Sequence, residues 1–343
     1  MQDALFPDET PADEGSTPAR PARGGVKAVV PDAATRTLAE GLPPRLFLGT
    51  STWSYPGWAG QVWDRGYSEQ LLAKKGLAAY AQHPLLRCVC IDRSFYRPLT
   101  ASQYEAYAAQ VPEGFRFVVK APALVADALV RDDQGHGSRR NPAFLDPVLA
   151  VQEFVQPALE GLGTKIGALV FQLSPLPAAL LGEMPALIAQ LDRLLAALPK
   201  LAPIAPDGVI AVEVRDREWL TEDFVAVLKR HGATYCLGLH PKLPPPEEQL
   251  WLLRRLWPGP FVCRWNLNRL HGPYGYEAAT RKYGAYERIV DPDPVTRALV
   301  AKVARATAKA GQAAYVTINN KAEGCAPQSV AALAREIVEA PAE

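Results

Sequence analysis

The sequence lacks any marked charge excess: 37 Lys and Arg face 36 Asp and Glu, a net charge of +1 over 343 residues. Proteins dedicated to nucleic acid or to anionic membrane surfaces usually carry a basic surplus, so neither is the expected partner. Cysteine is scarce, with five residues at 88, 90, 236, 263 and 325, an odd set without CxxC spacing. That pattern excludes a disulfide framework and indicates reduced thiols in a cytoplasmic protein. No apolar run approaches the roughly 18 residues of a spanning helix. The opening residues have neither the basic nor the apolar region of a signal peptide. Nucleotide-binding glycines are missing too, since Gly161-Leu-Gly163 lacks GxGxxG spacing and precedes a strand, and no P-loop occurs. HxH and HExxH patterns are absent as well.

What is present is a 48% apolar chain, enough for a sizeable core. Residues 1–44 are poor in aromatics and rich in Pro, Ala and acidic groups, and read as a disordered tail. From Leu46 onward, short apolar runs alternate with amphipathic helical stretches. The strands are expected at Leu46 to Thr52, Leu86 to Asp92, Phe115 to Lys120, Ile166 to Leu173, Val209 to Arg215, Thr234 to Leu239, Pro260 to Trp265 and Ala313 to Ile318. Eight strand-helix units in about 300 residues predict an α/β fold: a single TIM-like (β/α)8 barrel spanning residues 45–340. Near-continuous apolar strands such as Ala168-Leu-Val-Phe171 suit a sheet covered on both faces.

Barrel active sites are built at the C-terminal ends of the strands. Those ends carry Trp53, Asp92, Lys120, Gln172, Glu213 with Arg215, His240, Arg264, and Asn319 with Asn320. Strand alternation puts Ala211, Glu213 and Arg215 on one face, and Cys88, Cys90 and Asp92 on another shared face. Glu213, Asp92 and Lys120 are the groups expected to move protons. Arg215 and Arg264 suit a carboxylate or phosphate, Gln172, Asn319 and Asn320 suit polar substrate groups, and Trp53 and Tyr96, with Trp219, suit a stacking wall. A structural ion pair between Glu213 and Arg215 is the competing reading. A loop over Asn266 to Pro292 mixes Arg269, Tyr274, Tyr276, Arg281, Lys282, Tyr283, Tyr286 and Arg288, which fits a lid better than a nucleic-acid surface.

Several of these segments resemble the YecE-like family, bacterial domain of unknown function number 72. The likeness runs through Gly49-Thr-Ser-Thr-Trp53-Ser-Tyr-Pro-Gly-Trp58, Ser94-Phe-Tyr96-Arg97, Phe115-x-Phe-x-Val-Lys120, Leu169-Val-Phe-Gln-Leu173, Glu213-x-Arg215-x-x-x-Trp219 and Ile318-Asn-Asn320-x-x-x-Gly324, in order over about residues 46 to 338. The resemblance implies a TIM-like barrel with one pocket and implies no reaction. This chain departs from the family pattern in three places. Cys90 and Asp92 stand where members commonly have Glu and Asn, and Ala121-Pro122 replaces a Thr-His pair. Arg264-Trp-Asn266 replaces an Arg-x-His-Gly run, with Arg269-Leu-His271-Gly272 following later. The resemblance therefore carries neither histidine onto this chain.

The expected function is binding or conversion, by proton transfer, of a small polar anionic metabolite at the barrel mouth. As an enzyme it would be an isomerase, lyase or hydrolase. No cofactor is expected, and the mixed set Asp92, Glu213, His240 and Asn319 marks a divalent metal as the alternative. A nucleic-acid-associated barrel and a non-catalytic ligand-binding barrel are further alternatives.

Overall fold

In a computed structural model, residues 25–132 and 136–339 of the chain are described. Eight parallel strands close into a barrel: β1 (Leu46–Thr50), β2 (Cys88–Ile91), β3 (Arg116–Lys120), β4 (Ile166–Gln172), β5 (Val209–Glu213), β6 (Thr234–Leu239), β7 (Phe261–Trp265) and β8 (Ala314–Ile318). Each strand pairs with its neighbours in sequence, and β8 pairs with β1 to close the ring. This is the expected TIM-like architecture, with strand ends displaced by one or two residues from the sequence reading.

The alternation inferred from sequence sets the inside of the barrel. Phe47, Cys88, Cys90, Val118, Ala168, Val170, Ala211, Cys236, Val262 and Tyr315 form one buried cluster, separate from the larger core beneath the helices. At the N-terminal end this lumen is closed by Phe47 stacked on Tyr315, with ring centroids 5.0 Å apart. The Arg116 guanidinium lies 5.3 Å from the Phe47 ring and also binds Asp207, which Arg45 binds from the other side. The floor is therefore aromatic and salt-bridged, and the polar residues collect at the opposite end.

The helices follow local signals. Thr221 accepts from Phe224 N and caps Glu222–His231, which Gly232 ends in the left-handed conformation at φ 66°. The helical stretch between β1 and β2 is divided at Gly76 into Glu69–Lys75 and Leu77–Tyr80. Part of the expected disordered tail is structured. Asp32 accepts from Thr35 N and starts the helix Ala33–Glu40, and Ala28 bridges Trp63. Composition concealed this short capped segment; residues 1–24 lie outside the described residues. The long loop after β3 holds a helix, Ala123–Ala126, and an antiparallel pair, Leu129–Arg131 with Gly137–Arg140. The loop after β7 holds the helix Tyr276–Tyr283. Among the described residues, no helix is long and apolar enough to cross a membrane.

Close contact between β1 and β2 depends on Gly49. A Cβ there would sit 1.8 Å from the Cys88 carbonyl oxygen and 2.9 Å from its sulfur. Gly49→Ala should therefore force the strands apart and lower stability by about 2–3 kcal/mol. Urea unfolding checks this, and a midpoint equal to that of the parent chain would contradict it.

Candidate active site at the barrel mouth

The C-terminal ends of β2, β3, β4, β5 and β7 bring Asp92, Lys120, Gln172, Glu213 and Arg264 to one place, with Arg215 just beyond β5. Glu213 is completely buried and Arg264 is 3% exposed. Arg264 Nη1 donates to Glu213 Oε2 at 2.7 Å and to Gln172 Oε1 at 2.8 Å, and Nη2 donates to Asp92 Oδ1 at 3.1 Å. One guanidinium thus ties three strand ends together. Register places Arg264 beside Gly238 on β6, where a Cβ would lie 2.2 Å from Leu243 Cδ2 and 3.4 Å from the Glu213 side chain.

Arg215 holds the other side of Glu213, its Nη2 lying 3.0 Å from Oε1. That contact is an ion pair without good hydrogen-bond geometry, because among the described residues Oε1 has no hydrogen-bond partner and neither does the buried Arg215 Nε. Arg264 is committed to protein partners, whereas Arg215 keeps donor capacity. Burial alone would raise the Glu213 pKa, but Arg264 and Arg215 outweigh it and hold the carboxyl below its usual 4.5. Burial alone would lower Arg264, and the Glu213 and Asp92 carboxylates more than reverse that. Glu213 is therefore a fixed anion at neutral pH, suited to positioning two cations and weak as a base.

Lys120 differs from both arginines. It is 7% exposed, and its Nζ lies 3.6 Å from the centroid of the Phe95 ring. No hydrogen bond or ion pair reaches Nζ from the described residues. Burial lowers its pKa to about 8, with Arg264 and Arg215 adding to the shift and Asp92 and Glu213 opposing it. Asp92 is more open, with 34% of its side chain exposed, and it also accepts from Cys90 Sγ at 3.2 Å. The cysteines of β2 thus line the lumen beneath the carboxylate, as alternation requires. Burial pushes the Cys90 and Cys236 thiols well up, which leaves them unreactive packing groups.

The remaining residues singled out from sequence lie around this network. Asn319 Oδ1 accepts from Lys321 N, and Asn320 Oδ1 accepts from Trp58 Nε1 and Ala326 N, so both brace the turn after β8. Trp53 packs edge-on against Tyr107, and Trp219 is buried against Phe224. Tyr96 is 57% exposed and packs on Phe95. The expected stacking wall of Trp53, Tyr96 and Trp219 is therefore not assembled. An aromatic cover comes instead from the helix Tyr276–Tyr283. Tyr276 stacks on His240 at 5.2 Å, and the charges of Arg215, Arg264, Asp92 and Glu213 reach its hydroxyl. Tyr283 and Tyr286 pack inward, while Tyr274 stays exposed near Lys242. Burial lowers His240 to about 4, and its Nδ1 accepts from Lys242 N, so it is neutral at pH 7.

Sequence reasoning missed Lys321, buried with its Nζ 5.5 Å from the Tyr276 ring centroid and 5.6 Å from that of Tyr286, and missed Phe95 as the ring beneath Lys120. Lys321 could have been found as an ionisable residue directly after a strand-end motif. Nothing in the sequence marks Tyr276 above its neighbours. The set weighed for a divalent metal does not converge: both Glu213 oxygens face arginines, His240 Nδ1 is occupied, and Asn319 caps a turn. Among the described residues no other group of three or more His, Cys, Asp or Glu is placed to hold a metal. A cleft of about 310 Å³ opens near Leu198, Lys200, Val209 and His231, at the N-terminal end of β5. It gathers no comparable polar groups and lies away from the strand ends, so the mouth is the better candidate.

The network makes opposite predictions for its two kinds of charge. Glu213→Gln leaves two buried guanidinium groups without their carboxylate and should cost about 3–5 kcal/mol at pH 7. The depressed pKa places this stabilisation above pH 4.5, to be lost as pH falls through the lower value in the folded protein. Lys120 has the same sign of pH dependence, because its pKa is also lowered, but here the charged form is the one that burial penalises. Between pH 8 and 10.5 the unfolded chain binds more protons at this site than the folded one, so stability rises with pH there and the full penalty applies below about 8. Lys120→Met should therefore raise stability at pH 7 by about 1–3 kcal/mol, and the gain should shrink above pH 8. Urea unfolding at pH 7 and pH 10 tests both variants; a loss of stability in Lys120→Met at pH 7 would show that the lysine is structural.

A family model described as "Protein of unknown function DUF72" matches residues 47–343. No curated protein matches the chain. A crystal structure of a DUF72 family protein from Enterococcus faecalis V583 is similar with a TM-score of 0.53 at 16% identity, covering 87% of this chain and 97% of that one. A second crystal structure of a DUF72 family protein from that organism gives 0.51 at 15% identity, with 86% and 98% coverage. A DUF72 family protein from Thermotoga maritima MSB8 gives 0.49 at 18% identity, also with 86% and 98% coverage. At these identities the two Enterococcus structures support the barrel fold and nothing finer. The family match extends over all eight strands and their C-terminal ends, and the chain belongs to the DUF72 family of proteins of unknown function.

Proposed function

We propose that the barrel mouth binds a small anionic metabolite through Arg215 and converts it by proton transfer at Lys120, with Asp92 as the partner. The observation that carries this reading is the imbalance of the site. Among the described residues, Lys120, Arg215 and Arg264 are met by the carboxylates of Asp92 and Glu213 alone, and Arg215 Nε is buried without a hydrogen-bond partner. Buried donors left unpaired are costly, and an oxyanion is the group that would satisfy both the donor and the surplus charge. Lys242 and Lys321 add to the positive field, through their contacts with Tyr274 and Tyr276 near the same opening.

The roles divide by environment. Glu213 and Arg264 form the frame, Gln172 completes the Arg264 hydrogen bonds, and Arg215 receives the carboxylate or phosphate. Lys120, with its lowered pKa, can hold or release a proton near neutral pH, as a general acid or base must. Asp92 is open enough to exchange protons with a bound molecule. A positioned anion next to a proton-active amine suits an isomerase, a lyase or a hydrolase. The expected penalty for keeping Lys120 buried fits this reading too, since proteins commonly tolerate destabilising groups where function needs them.

Removing the Arg215 charge should weaken binding of inorganic phosphate and of pyruvate by roughly ten- to a hundredfold, the value of one or two charge-assisted hydrogen bonds. Titration calorimetry on the parent chain and Arg215→Met measures this. Equal affinities in the two proteins, or no binding of either anion to the parent, would refute the proposed anion site.

A further inference from the structure

We infer that Lys120 is a nucleophilic amine that forms an imine with a small carbonyl compound bearing a carboxylate or phosphate. This rests on the anion-binding reading above and names the substrate class for that site. Three features of the geometry separate Lys120 from an ordinary anion-binding lysine. Its aliphatic stem is buried at the end of β3, so the amine is held in one place. Its Nζ meets the face of Phe95 at 3.6 Å, and among the described residues no carboxylate pairs with it. Two further cations, Arg215 and Arg264, lie close enough to disfavour its protonated form. A lysine desolvated against an apolar wall and crowded by cations is the arrangement that frees the lone pair for attack on a carbonyl. The groups that act on it electrostatically are Asp92 from β2, Glu213 and Arg215 from β5 and its loop, and Arg264 from β7. With its pKa at about 8, roughly a quarter of the amine is neutral at pH 7.5.

Of the other lysines near the mouth, Lys321 lies 5.5 and 5.6 Å from two tyrosine rings and Lys242 lies 4.1 Å from the Tyr274 ring. Lys74, Lys75 and Lys229 are exposed on helices. The chemistry balances without any redox partner. The neutral amine adds its lone pair to the carbonyl carbon, the carbonyl π electrons move to oxygen, and that oxygen takes up a proton from solvent water. The nitrogen then releases a proton to the Asp92 carboxylate. Asp92 returns it to the departing hydroxyl, water leaves, and the carbon–nitrogen double bond forms. The substrate's anionic group meanwhile rests on Arg215. The resulting iminium adds a third positive charge beside Arg215 and Arg264, where Asp92 and Glu213 can stabilise it.

Reductive trapping tests the inference. The full chain is incubated separately with pyruvate and with dihydroxyacetone phosphate in the presence of cyanoborohydride, and adducts are located by intact and peptide mass spectrometry. The expected result is a single reduced adduct on the peptide carrying Lys120, absent from Lys120→Met and Lys120→Arg, and forming faster as pH rises through about 8. Urea unfolding of both variants confirms that they are folded. Labelling by pyruvate alone identifies a carboxylate substrate, and labelling by dihydroxyacetone phosphate alone identifies a phosphate ester. No adduct with either probe, or adducts on other lysines that persist in both variants, overturns the imine. If that happens while phosphate still binds in an Arg215-dependent manner, the anion site stands without the imine; if phosphate binding is also absent, both readings fall.

Discussion

The mouth of this barrel depends on one buried carboxylate. Glu213 sits at full burial with an arginine on each oxygen, Arg264 on one and Arg215 on the other. Taking three such charges out of water costs several kcal/mol apiece unless their geometry compensates. Arg264 compensates by hydrogen-bonding residues from three other strands, which turns an electrostatic liability into a tie across the top of the barrel. Arg215 is compensated less completely, and the shortfall is where a ligand can act. The same carboxylate therefore fixes the frame and sets up the vacancy in its charge balance.

Around that anchor the site separates into groups that cannot change charge near neutrality and groups that can. Glu213 and Arg264 reinforce each other's ionised forms. His240 is held neutral by burial and by Arg215 and Lys242 nearby. Lys120 is the exception, poised close to the working range because it has an aromatic face where a carboxylate partner would otherwise be. Under the proposed function, a single mobile proton among fixed charges would favour directional proton transfer. Tyr276 covers this arrangement, and burial raises its hydroxyl to about 12, so it remains a neutral donor.

Much of the frame was legible in sequence because strand periodicity is strict. Once Val209 to Glu213 is recognised as a strand, alternation forces Ala211 and Glu213 inward, and Cys88 and Cys90 likewise, and the lumen cluster contains the small residues expected. The strand-end rule found Asp92, Lys120, Gln172, Glu213 and Arg264 for the same reason. What could not be read was pairing. That Arg264 rather than Lys120 hydrogen-bonds Glu213 depends on contacts between β5 and β7, strands that are not adjacent in the sheet, which no local pattern records. Trp53 and Trp219 were misplaced because aromatic residues near strand ends pack beneath the loops as readily as over a ligand. The helix Ala33–Glu40 escaped notice because one Asp32 cap outweighs the surrounding composition.

The aromatic floor has a consequence for traffic. Phe47 and Tyr315 stack at the far end of the lumen, and buried thiols and aliphatic side chains pack above them. Under the proposed function, a ligand would enter and leave at the opposite end of the barrel, beside Tyr276, and a product would have to clear that end before another molecule could enter. Any molecule or protein that rests on the segment Tyr276–Tyr283 would govern both directions at once, acting as a brake without touching the reacting groups.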